Sequence, residues 1–179
     1  MSLFLANLIV GLLTLALGAH FLFGNATSEK IARAFPRNKS AAYVLIAISA
    51  AWFLFHVSQL GEADFGNHKD KLLIVFGVGA LLSFIYVPDF LAVRGLAGLG
   101  LLAAFVFLDA AYMQWDFPQR RYMAGVVYVG IALAIYLGGM PYKMRDWLDW
   151  IYTSKSRTRG IGAFICVVGL SLTATAFTY

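Results

Sequence analysis

Six long apolar runs separated by polar connections organise the chain. They read as helices over residues 3–24, 41–60, 72–87, 90–113, 121–140 and 160–178. A helix needs ~20 mostly apolar residues to cross a hydrocarbon core, and all but the third run approach that length. The breakers fall between the runs: Pro36 with a polar stretch, the Gly and Asn residues of 61–71, Pro88, Pro118 and Pro141. Pro88 and Asp89 are expected to close the third helix, because the residue before a proline disfavours the helical region. Two connections hold weaker helical signals. Ser28 to Ala34 can form a short interfacial turn of helix. In MRDWLDWIY, Met144, Trp147, Leu148 and Ile151 follow helical spacing, with Arg145, Asp146 and Asp149 between them. This predicts an amphipathic helix over 143–152 lying in the interface, with Tyr142, Trp147, Trp150 and Tyr152 at headgroup depth.

Composition turns this pattern into a class. Of 179 residues, 61% are hydrophobic and 13% charged, with mean hydropathy +0.76. A soluble domain carries about 25% charge, and a chain of this size cannot hide its apolar excess in a core. The reading is an all-α polytopic membrane protein: six transmembrane helices arranged as three hairpins, with the interfacial helix before the last span. One integral membrane domain covers 1–179. The first run lacks the basic flank of a secretory signal and is read as a true helix. Cys166 is the one cysteine, so an intrachain disulfide is excluded.

The charges give an orientation. Lys30, Arg33, Arg37, Lys39, Arg94, Lys143, Arg145, Lys155, Arg157 and Arg159 follow the odd helices. Lys69, Lys71, Arg120 and Arg121 lie on the other side. Ten against four places the first group in the cytoplasm and both termini outside, as in a bacterial inner membrane. The net charge of +5 is thereby a matter of topology, and nucleic acid is not an expected partner. The sequon Asn25-Ala26-Thr27 would then be cytoplasmic and carry no glycan. Lys39-Ser40, Arg94-Gly95 and Arg159-Gly160 open the even helices in the same way, and the odd helices end at Gly24, Pro88 and Pro141. The positive-inside rule alone produces such a pattern, and identity between the three units is poor.

Few residues could carry chemistry. Asp109 lies about a turn from the outer end of the fourth helix, where a carboxylate either serves function or pairs with Arg120 or Arg121. His56, Thr173 and Thr175 fall at similar depth, so His56, Asp109 and the two hydroxyls could converge in a polar outer-leaflet site able to relay protons or bind a small solute. The alternative is a set of unrelated interfacial residues. His20 and His56 could each be a single axial haem ligand, but they lie at opposite faces and cannot share one iron. Arg94 reads as a snorkelling anchor. Small residues recur at spacing four in Ala47/Ala51, Gly100/Ala104, Gly162/Cys166 and Gly169/Thr173, which suits close helix contact. Catalytic motifs are absent from the sequence.

The sequence therefore points to a non-catalytic accessory or scaffold subunit of a membrane complex. Its expected partners are the lipid bilayer, other membrane subunits or further copies of itself. A small solute, ion or proton transporter using His56 and Asp109 is the alternative. A haem or quinone electron-transfer subunit is the second. No cofactor is expected on the leading reading, and haem only on the last.

Overall fold

The computed structural model describes residues 1–87 and 89–179 and is helical throughout, with eight α-helices among the described residues. In chain order they are α1 (Leu3–Phe23), α2 (Ala26–Ala34), α3 (Lys39–Ser58), α4 (Lys69–Tyr86), α5 (Leu91–Ala111), α6 (Arg120–Gly139), α7 (Tyr142–Tyr152) and α8 (Lys155–Ala176). Polar residues at the boundaries set several starts. The side chains of Ser2, Asn25 and Asn38 accept hydrogen bonds from the backbone N–H groups of Leu5, Ser28 and Ala41, replacing partners that a first turn lacks. Asn25, the would-be sequon residue, is thus the cap of α2.

Five helices, α1, α3, α5, α6 and α8, are long and apolar enough to cross a membrane. α4 corresponds to the third expected span. Its 18 residues begin with Lys69, Asp70 and Lys71, which leaves a shorter apolar stretch than its neighbours have. Pro88, expected to close this helix, lies outside the described residues. A helix forms where one was expected at 143–152, as α7, and the turn expected at Ser28–Ala34 extends back to Ala26 as α2.

The closest pairing joins the first and last helices. Gly11 faces Thr173, Leu15 faces Gly169, Gly18 faces Cys166 and Leu22 faces Gly162. Numbers fall along α8 as they rise along α1, so the two run antiparallel. Each contributes glycines seven residues apart, which keeps one seam facing the partner over two turns. The approach is backbone to backbone: a Cβ on Gly18 would sit 2.5 Å from the Cys166 nitrogen, and one on Gly169 2.5 Å from the Leu15 nitrogen. In lipid, apolar burial drives helix association little, and close van der Waals contact takes its place. The small pairs Gly162/Cys166 and Gly169/Thr173 serve this intramolecular seam.

α5 is the hub of the remaining helices. It packs antiparallel to α6, with Ala97 against Gly138 and Gly100 against Ala134. It runs parallel to α3, with Gly95 against Leu45 and Ile46, Gly98 against Ser49, and Phe105 edge-on to His56. A core of Leu3, Ala6, Val10, Ala104, Ala110, Ala111, Met123, Val127 and Leu172 ties α1, α5, α6 and α8 together. The extensive pairings are therefore α1–α8, α5–α6 and α3–α5. The hairpin pairs expected from chain order, α1–α3, α4–α5 and α6–α8, are not among them.

α4 stands at the edge. It lies antiparallel to α3 through Phe76 on Phe53 and Phe84 on Tyr43, and no residue in it is fully buried. Its amides are expected to exchange faster than those of α1 and α8, by an order of magnitude or more, because local opening there disrupts few contacts. Hydrogen–deuterium exchange of the protein in detergent measures this, and equal protection of the three helices would contradict it.

Candidate functional site

The polar residues singled out in the sequence go to two different places. Thr173 and Thr175 belong to the α1–α8 seam. The Thr173 hydroxyl donates to the Gly169 carbonyl at 2.8 Å and lies against Gly11. The Thr175 hydroxyl donates to the Leu172 carbonyl at 2.8 Å and accepts from the Asn7 amide at 3.0 Å. His56 and Asp109 belong to α3 and α5, away from that seam. The His56 ring is set among Trp52, Phe55 and Phe105, and its buried Nε2 has no hydrogen-bond partner among the described residues.

Asp109 is exposed on α5. It lines an open groove of about 480 Å³ between α5 and α6, together with Phe105, Tyr112, Arg120 and Tyr128. His56 touches Phe105 but is not part of the groove wall. The four residues expected to converge are thus divided between two interfaces. The expected ion pair is not formed either. Arg120 donates to the Ala111 carbonyl at 2.8 Å and covers the Trp115 ring at 4.5 Å, and the ion pairs among the described residues lie elsewhere. Arg121 is exposed.

The densest polar network forms at the opposite end of the bundle, where α2 lies on α7. Arg33 donates to Glu29 at 2.9 Å within α2 and reaches across to Asp149 of α7. Its guanidinium also covers the Tyr152 ring at 5.4 Å. The Tyr152 hydroxyl meets His20 Nε2 at 3.1 Å, which engages His20 within the fold. Partial burial pushes the Tyr152 phenol up from its ordinary range and the Glu29 charge adds to this, against an opposing pull from Arg33. The phenol therefore stays protonated near neutrality and can donate to His20. For Arg33, burial works against the charge, but the bonds to Glu29 and Asp149 outweigh it and hold the guanidinium protonated.

The same end gathers the basic residues. Arg37 lies over Phe90 at the start of α5, Trp147 of α7 stacks on Tyr136 of α6, and Arg157 of α8 lies over Trp150. The helix directions put the ten basic residues of the larger group at this end, in α2 and α7 and around the starts of α3, α5 and α8. Phe90 takes a left-handed conformation at φ 56°, which an aromatic residue adopts only against strain.

Sequence reasoning missed two features. Asn7 is fully buried in α1 and donates to the Leu172 carbonyl at 2.9 Å as well as to Thr175. A lone amide in an apolar run four residues before Gly11 was its signal. The Arg33–Asp149 bridge joins positions 116 residues apart, and nothing in either connection identifies its partner. The chain matches no protein-family model, no curated protein and no solved structure.

Proposed function

We propose that this chain is a non-catalytic accessory or scaffold subunit of a membrane complex. In this reading it sits in a bacterial inner membrane with its basic end in the cytoplasm and both termini outside. The observation that carries the proposal is the state of α4. Among the long helices α4 packs mainly on α3, with Phe84 also reaching the cluster of Ala42, Leu91 and Ala92, and Ile74, Leu81 and Ile85 are each about two-thirds exposed or more, at 66%, 68% and 71%. Neighbouring Ala47 and Ala51 of α3 are exposed as well. Gly79 has open space where a side chain would point. Small and apolar residues left open on adjoining helices suit contact with another membrane helix.

A sixth crossing belongs to the same proposal. α3 and α5 run in the same direction, so the chain between them has to return, and α4 runs antiparallel beside α3. Eighteen residues span ~27 Å, close to the ~30 Å of a hydrocarbon core. A short helix at the rim is relieved of mismatch by association with a neighbour.

Photo-crosslinking residues placed at Ile74, Leu81 and Ile85 in native membranes test the reading. Discrete adducts to a second polypeptide, or to a second copy, are expected. Lipid adducts alone, with the chain purifying as a monodisperse and fully functional isolated protein, would overturn it.

A further inference from the structure

Beyond that reading, and independent of it, we infer that the basic end holds a specific site for the headgroup of an aminophospholipid, one carrying both a phosphodiester and a primary ammonium. The site is a cavity of about 220 Å³ where the end of α1, the start of α2, the end of α7 and the start of α8 meet. Its walls include Phe21, Leu22, Glu29, Tyr152, Lys155 and Arg159.

The charges around it are arranged by sign. Lys155 and Arg159 lie one helical turn apart on α8, and neither joins an ion pair among the described residues. Together they form a fork for the oxygens of a phosphodiester. Glu29 of α2 is the acidic side chain in the same wall. Glu29 and Asp149 share the single guanidinium of Arg33. Glu29 binds Arg33 through Oε1, and its other oxygen is open to an ammonium donor. A ligand with a phosphate alone would use Lys155 and Arg159 and leave the second Glu29 oxygen without a donor, whereas a zwitterionic headgroup engages both signs of charge.

The surroundings place this ligand in a bilayer. Phe21 and Leu22 are the last apolar residues of α1 before Phe23 and Gly24, so the cavity opens where the hydrocarbon gives way to headgroups. They supply an apolar wall for the upper part of an acyl chain. Basic pockets between membrane helices are a recognised setting for lipid headgroups.

Native mass spectrometry of the full chain, released from vesicles of equal phosphatidylethanolamine, phosphatidylglycerol and phosphatidylcholine, reads the selectivity. Wild type is expected to retain the ethanolamine lipid over the other two. The double variant Lys155→Gln/Arg159→Gln should lose retained phospholipid of every class by roughly tenfold, as for one lost charge-assisted contact. Glu29→Gln should keep bound phosphatidylglycerol and lose only the preference for ethanolamine. Lys143→Gln/Arg145→Gln removes the same charge from the same end outside the cavity and should change nothing. The inference fails if this control loses lipid equally, if wild type favours phosphatidylglycerol or phosphatidylcholine, or if soluble glycerophosphoethanolamine competes as well as the lipid. The wild-type preference is read without any variant, so misfolding of a variant leaves the inference open to refutation.

Discussion

Gly18→Ala is expected to destabilise the protein by ~3 kcal/mol or more, beyond the usual range of overpacking, because the added carbon meets backbone and cannot be accommodated by a rotamer change. The new methyl would lie 2.5 Å from the Cys166 nitrogen and 3.0 Å from its Cα. Relief requires α1 and α8 to move apart, which loosens the contacts along the whole seam. Gly125→Ala is the matched control. It lies in α6 with nothing within 4 Å of the added carbon, so the helix propensity of alanine should raise stability by about 0.5–1 kcal/mol. The same chemical change thus has opposite signs at two positions in the bundle. Thermal or denaturant unfolding in one detergent reads both. Equal effects at the two sites would show that α1 and α8 are not in backbone contact.

The second large effect is expected at Asn7. Asn7→Ala removes the donor to the Leu172 carbonyl and the donor to the Thr175 hydroxyl, and leaves space in a fully buried position. Interhelical hydrogen bonds in membranes average ~0.6 kcal/mol, with a maximum of about 1.7. Two such bonds and the lost packing together predict a cost of about 1–3 kcal/mol. A double-mutant cycle with Thr175→Val isolates the amide–hydroxyl pair. A coupling energy near zero would show that Asn7 acts through volume alone. The amide also fixes alignment: a slip of one residue along the seam would carry it away from the Leu172 carbonyl, much as a buried asparagine specifies register in a coiled coil.

What could be read from the sequence followed the solvent each segment meets. Long apolar runs and the spacing of Met144, Trp147, Leu148 and Ile151 respond to the boundary between lipid and water, so the long helices and α7 were visible in outline. Lateral neighbours were not. Chain order suggested hairpins, but lipid already satisfies apolar side chains, so hydrophobicity does not choose partners. Close backbone approach does, and it is decided by glycines at spacing seven on two helices at opposite ends of the sequence. Spacing four on α8 is visible within one run, whereas Gly11 and Gly18 on α1 acquire meaning only beside Gly162 and Gly169. The polar residues misled for a related reason. Equal depth in the membrane says nothing about angular position around the bundle, and Thr173 and Thr175 face α1 while Asp109 faces a groove against α6. The Glu29–Arg33–Asp149 network was hidden because both its helices lie in connections and meet only through the fold.

The seam between α1 and α8 also sets an order of events for the growing chain. α1 emerges first, yet the helix that fits it ends at Ala176. Until then, the face of Asn7, Gly11 and Gly18 has no partner, while α3, α5 and α6 can already assemble. Contacts between distant segments carry the largest loop-closure cost and form late. Among these helices the α1–α8 pairing therefore follows the others, and the interval before it forms is when a glycine-lined helix is open to the wrong neighbour or to a membrane chaperone that shields it.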